Sequence, residues 1–157
     1  MNCELLTEEV PNPPAPTDLF DLIAARPGSS FLDADPWADN RWKAACLGYD
    51  PFLTFSAKGH EIAVTLQGEP RRLTGDPFQY VSDLLQQYRG GVPLHGRPTA
   101  GAIVYFVYDL RHHLEKVPAL AVDDLGLPDC VLNFYDLLFW FDPGSARLFV
   151  TSSGLPF

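Results

Sequence analysis

Three observations predict an α+β fold of antiparallel β-sheets with a few short helices. Period-two alternation recurs in short runs around tight turns, and one amphipathic helix carries its own start signal. The runs are joined mostly as hairpins, with helices interspersed irregularly. A parallel sheet would instead need regular strand–helix alternation. At 157 residues and 17.4 kDa, the chain suits one domain that buries roughly 68–70% of its unfolded surface.

The prolines at 11, 13, 14 and 16 remove donors and restrict their neighbours, so residues 1–16 read as an extended arm before a single domain over 17–157. Thr17 fits an N-cap, with Leu19, Phe20 and Ile23 on one helical face, and Arg26-Pro27-Gly28 ends that helix. Ser30 to Ala34 and Lys43 to Gly48 read as strands. Leu53, Phe55 and Ala57 alternate with polar residues, as do Ile62, Val64 and Leu66 beyond the Lys58-Gly59 turn, which predicts a hairpin. Asp76 caps the main helix, with Pro77 first inside it and Gln79 as a capping-box partner. Phe78, Val81, Leu84, Leu85 and Tyr88 form its apolar face, and Gly90-Gly91 stops it. Ala102 to Tyr108 is nearly unbroken apolar sequence, the pattern of a strand covered on both faces. A short helix begins at Asp109, with Leu110 and Leu114 one turn apart. After a loop bearing Asp123 and Asp124 come two strands, Val131 to Phe141 and Arg147 to Thr151, joined by Asp142-Pro143-Gly144.

The charge sum of 11 Lys+Arg against 20 Asp+Glu leaves −9 and a pI near 4.7, which repels phosphate backbones and argues against nucleic-acid binding. No apolar run reaches the ~20 residues of a membrane span, and the acidic first ten residues lack a signal-peptide pattern. Cys3, Cys46 and Cys130 are odd in number and scattered, which fits a reducing, cytoplasmic setting better than a disulfide framework.

No self-sufficient active site emerges from residue types and spacing. His112, His113 and Glu115 lack the i, i+4 spacing that puts two imidazoles on one helical face, so they read as solvated. His60 and His95 stand alone. Cys46 lies in an apolar run where a small buried thiol is the expected outcome. Gly90, Gly91 and Gly96 match no phosphate-binding loop, and Asp33, Asp35 and Asp39 lack the glycine and terminal glutamate of a calcium loop. Trp140 sits at a core strand position, whereas Trp37 and Trp42 lie in loop sequence and are free to line a pocket or an apolar patch with Phe31.

Several short stretches nevertheless resemble, in order and spacing, the N-terminal region of component I of the chorismate-utilising synthases. Ser30-Phe31-Leu32-Asp33-Ala34 and Leu47-Gly48-Tyr49-Asp50-Pro51-Phe52 resemble its "L-L-E-S-A … F-I-G-x-D-P" stretch. Gly75-Asp76-Pro77-Phe78 is similar to the start of its long helix. Tyr108-Asp109-Leu110, Leu127-Pro128-Asp129, Phe134-Tyr135-Asp136 and Ser153-Gly154-Leu155-Pro156 follow at family spacing. The resemblance runs from about Ser30 to Pro156 and is to the aminodeoxychorismate (para-aminobenzoate) branch, with anthranilate synthase component I as the near relative.

That resemblance implies the α+β fold of the component I N-terminal domain. It also implies a parent enzyme that aminates chorismate with glutamine-derived ammonia in folate biosynthesis, or in tryptophan biosynthesis for the anthranilate alternative. A glutamine amidotransferase subunit would be the partner, and Mg²⁺ the cofactor of the parent's C-terminal chorismate-binding region. None of that region's catalytic or metal residues has a counterpart here, so the chain is expected to hold no cofactor and to be catalytically inert alone. A stand-alone small-molecule-binding regulatory or interaction module is the other reading. The family's tryptophan-type pocket would place Leu32, Asp33, Ala34, Val104, Val107 and Tyr108 at ligand positions. Ala34 replaces the expected serine hydroxyl. Val104 and Val107 stand where "G-G-x-x-G-x-x-G-Y-D-L" has glycines, so the pocket is expected to be remodelled.

Overall fold

In a computed structural model, residues 6–33, 44–89, 101–118, 122–142 and 144–156 are described. The chain opens with β1 (Leu6–Val10), α1 (Pro16–Ile23), β2 (Ser30–Leu32) and β3 (Ala45–Gly48). A meander follows: β4 (Leu53–Lys58), β5 (Glu61–Leu66) and β6 (Glu69–Thr74), then α2 (Pro77–Gln87). After β7 (Gly101–Phe106) and a 3-10 helix (Tyr108–His113) come β8 (Cys130–Tyr135), β9 (Leu137–Asp142) and β10 (Arg147–Ser152). The strands form two five-stranded antiparallel sheets, ordered β1-β10-β9-β3-β2 and β6-β5-β4-β8-β7. The α+β expectation holds.

The meander follows from its alternation. Leu53, Phe55 and Ala57 are buried, and with Ile62, Leu132 and Phe134 they form a core covered by α2 through Val81. Asp76 caps α2 by accepting from the Phe78 amide at 2.9 Å, which satisfies one of the helix's unpaired donors. Phe78, Leu84 and Tyr88 pack on the same core, and the Tyr88 ring meets Phe52 edge-on at 5.2 Å.

A second cluster joins the two sheets: Cys46 of β3, Tyr135 of β8 and Leu138 of β9, with Ile103 of β7 packed against them. The buried Tyr135 hydroxyl donates to the Gly28 carbonyl and pairs with Ser30 Oγ at 2.7 Å. Gly48 is required beneath that ring, because a Cβ there would stand 2.9 Å from three of its carbons. In the first sheet Trp140 and Phe149 stack at 4.6 Å as a cross-strand pair, so Trp140 belongs to the core.

The structure departs from the sequence reading at identifiable points. The stretch 131–141 is two strands in two sheets, because the Asp136 carboxylate draws the chain round a corner. It accepts from Ser152 Oγ, Ser153 N, Ser153 Oγ and Leu155 N at 2.9–3.1 Å. β6, with the sequence EPRRLT, carries no alternation because it is an edge strand exposed throughout. The arm sequence contains β1, an edge strand paired with β10, and α1 starts at Pro16 with Ala15 rather than Thr17 at its N-cap. Gln79 bonds Asp83 at 2.9 Å instead of closing a capping box. Leu85 and Leu114 face solvent. α2 ends at Gln87 with Tyr88 as its C-cap, while Gly90 and Gly91 lie outside the described residues. The largest departure concerns β7: among the described strands it pairs with β8 alone, and its two faces are covered only at its start, where Ala102 and Ile103 pack on the two clusters while Val104, Tyr105 and Phe106 are exposed.

Candidate functional site

β7 closes one side of its sheet with GAIVYF, a strand without charge or proline. Its register with β8 sets Ala102, Val104 and Phe106 opposite Phe134, Leu132 and Cys130, on the face that carries the main core. Ala102 reaches that core, but Val104 and Phe106 remain 41% and 51% exposed, and Tyr105 on the other face is 45% exposed. Such a run forms a strand because β-branched and aromatic residues suit a pleated surface. Among the described residues its outer edge has no strand partner, and apolar side chains flank it.

The other three edges are guarded. β1 carries Glu8 and Glu9, β6 carries Glu69, Pro70, Arg71 and Arg72, and β2 has only three residues. Charges, proline and brevity are the devices by which edges resist pairing. β7 has none of them.

The apolar surface continues beyond the strand. The Val107 amide bonds the Asp129 carbonyl at 2.8 Å, and the buried Leu110 anchors the 3-10 helix in the core. Tyr108 is 77% exposed, and the Arg111 guanidinium lies 4.2 Å from its ring centroid. Arg111 Nε is buried without a hydrogen-bond partner among the described residues. Exposed Leu114, Val122, Leu125 and Leu127 extend the apolar surface in sequence. Lys58 holds the loop over 122–129: it pairs with Asp123, donates to the Leu127 carbonyl at 2.7 Å and lies 3.6 Å from Asp129. Asp129 also accepts from the Gly59 amide at 2.7 Å. The hydrogen bond with Lys58 holds the Asp123 carboxyl below its ordinary value and raises the lysine.

Of the six ligand positions implied by the resemblance, five are described. Leu32 and Asp33 are exposed at the end of β2, in the first sheet. Val104 sits on β7 at the far edge of the second sheet, with half-buried Val107 and exposed Tyr108 just beyond it. Ala34 lies outside the described residues, as do Trp37, Trp42, Asp35, Asp39, His95 and Gly96. Phe31 is half-buried and stacks on Phe20 at 5.2 Å. Cys46 is buried, and desolvation pushes its thiol up to about 11, the state of an unreactive core residue.

Sequence reading did not connect His60 with His113, whose rings meet edge-to-face at 4.8 Å. Among the described residues no group of three or more His, Cys, Asp or Glu is placed to hold a metal ion. No helix among them is long and apolar enough to cross a membrane. The exposed edge and Arg111 were also missed, although the lack of charge and proline through β7 was a visible signal.

No family model matches the chain. Anthranilate synthase component 1 of Acetivibrio thermocellus is 32% identical over 129 residues, covering 81% of this chain and 26% of that protein. Anthranilate synthase component 1 of Mycolicibacterium smegmatis is 34% identical over 121 residues, 71% of this chain and 22% of its own length. The chain is a distant, partial-length relative of the component 1 synthases. Aminodeoxychorismate synthase component 1 of Escherichia coli is 29% identical over 93 residues, 55% of this chain and 20% of that protein. The chain thus spans about a quarter of the length of the curated relatives it matches.

Proposed function

We propose that the chain is a non-catalytic domain of the component 1 type. It supports a chorismate-binding catalytic region and seats that region on the β7 edge and the surface around Tyr108 and Arg111. The unguarded apolar edge carries this reading. It exposes Tyr105, Phe106 and Tyr108, aromatic side chains typical of interface centres, in a chain that aligns with only about a quarter of its relatives. Chorismate, the Mg²⁺ that holds it and the glutamine amidotransferase partner belong in this reading to the catalytic region. Amination of chorismate in the cytoplasm is the activity of the assembled protein.

The relatives turn the branch toward anthranilate formation. Both anthranilate synthase components match over more of the chain, and at higher identity, than the E. coli aminodeoxychorismate synthase component. The para-aminobenzoate branch is the second reading, supported by that 93-residue match.

The test is association. The Acetivibrio thermocellus protein, expressed without the segment that aligns with this chain, is mixed with the purified chain and followed by size-exclusion chromatography. The account expects a complex that Val104→Lys and Phe106→Lys abolish and Leu22→Lys, on exposed α1 surface, leaves intact. A complex indifferent to charge on β7, or no complex, would contradict it.

A further inference from the structure

The loop that leads into β8 exposes the apolar side chains of Val122, Leu125 and Leu127, yet its conformation is fixed at its C-terminal end and across its turn. The Asp129 amide donates to the Ala57 carbonyl and the Gly59 amide to the Asp129 carboxylate, both at 2.7 Å. Within the loop the Asp124 amide donates to the Val122 carbonyl at 3.1 Å, and the Gly126 amide to Asp123 Oδ1 at 3.0 Å. Gly126 turns the chain at a φ of +59°, a conformation that favours glycine. Lys58 closes the arrangement from the end of β4, the middle strand of its sheet. Its ammonium pairs with Asp123 before the turn and donates to the Leu127 carbonyl after it.

An exposed ion pair adds little to global stability. What this one provides is order: the apolar side chains stand in fixed positions before any partner arrives. Binding through a mobile loop carries an ordering cost that this loop has already met. Asp109 and Asp124 line the same hollow as Val107, Val122, Leu125 and Leu127, so acids border the apolar surface. A second copy, itself carrying −9, would set like charges against them. The complementary surface is apolar with lysine or arginine at its margin. We propose that the loop over 122–127 is a preformed seat for an apolar, basic-edged surface of the catalytic region, with Lys58 as its positioning residue. The inference rests on the docking reading and adds to it a second contact beyond the end of β7, with the chemistry of what it meets. Lys58 acts through the loop and touches no partner itself.

Titration of the full chain with the peptide Ac-KLLKLLK-NH2, read by amide NMR, tests the seat and its chemistry. Saturable shifts centred on residues 122–127 are expected, and none with Ac-ELLELLE-NH2 at the same concentration. Lys58→Met and Leu125→Ser should each weaken binding by roughly tenfold, and Lys58→Arg should restore it to within about threefold. Lys58→Met makes the chain more negative, so attraction by net charge alone would strengthen the binding of a lysine peptide; weakening, with a melting curve that stays cooperative, marks positioning. The double variant Lys58→Met/Leu125→Ser should lose no more than Leu125→Ser alone, because both act through one loop. The complex with the shortened Acetivibrio thermocellus protein tests the docking reading separately: peptide binding without that complex would overturn that reading. A complex indifferent to both Leu125→Ser and Lys58→Met would overturn this inference alone. So would no shifts at millimolar peptide, shifts centred elsewhere, or an undiminished response in Lys58→Met.

Discussion

Tyr135 ties the two sheets together through a single buried ring. Its hydroxyl satisfies both the Gly28 carbonyl and Ser30 Oγ, and Gly48 leaves room beneath it. Tyr135→Phe keeps the ring and removes the hydroxyl, leaving two part-buried polar groups without their partner. A loss of about 1–3 kcal/mol in urea unfolding is expected. Gly48→Ala forces a Cβ against the ring and is expected to cost about 1–3 kcal/mol as an overpacking change. The Cys46 thiol adds a pH dependence: burial raises it from 9.0 to about 11. The folded state therefore keeps its proton where the unfolded chain has lost it. The stability contribution is intact below pH 9 and falls as pH rises toward 11, and Cys46→Ala removes that component of the decline. Unfolding curves collected across that range, with and without the substitution, check the sign. Cys46 was legible in the sequence because a small residue in an apolar strand has one common fate. Tyr135 was not, because its partners lie more than a hundred positions away.

Strand-level accuracy followed burial. The β4–β5 hairpin and the start of α2 were legible because each has one buried face and a local turn or cap signal. β6 was not, since an edge strand exposed on both faces shows no periodicity. The corner between β8 and β9 was hidden because apolar residues continue through it and only Asp136 marks the change of sheet. Asp136→Ala removes the acceptor of four hydrogen bonds. It should destabilise the chain by at least about 1.5–3 kcal/mol, with the β9–β10 side losing hydrogen-exchange protection first. The loop tethered by Lys58 offers a second pH test. The folded Asp123 carboxyl lies below its unfolded value, so its contribution is present above the ordinary carboxylate range and fades as pH falls through the lowered value. Exchange at the Gly126 amide, which bonds Asp123 Oδ1 at 3.0 Å, should accelerate over that fall and at high salt.

Two sheets, one main helix and an unguarded edge together define what this protein offers. Among the described residues, three strand edges are protected by charge, proline or brevity and that of β7 is not, and that asymmetry is the basis of the docking proposal. The sequence showed the apolar run of β7 plainly but could not show that it lies at an edge, since covered and bare strands read alike until their neighbours are known. The resemblance to component I was legible from ordered short motifs, and the relatives support it at a distance. Of the ligand positions it implied, Leu32 and Val104 lie on strands of different sheets, and Cys46, opposite Leu32, and Ile103, beside Val104, meet in the cluster that joins those sheets. The central claim is that this domain supplies support and contributes no chemistry by itself. Incubating the purified chain with chorismate, Mg²⁺ and ammonium, and following aromatic product by fluorescence and chromatography, tests it most directly. The account predicts no conversion above the protein-free control; sustained, enzyme-dependent consumption of chorismate would contradict it.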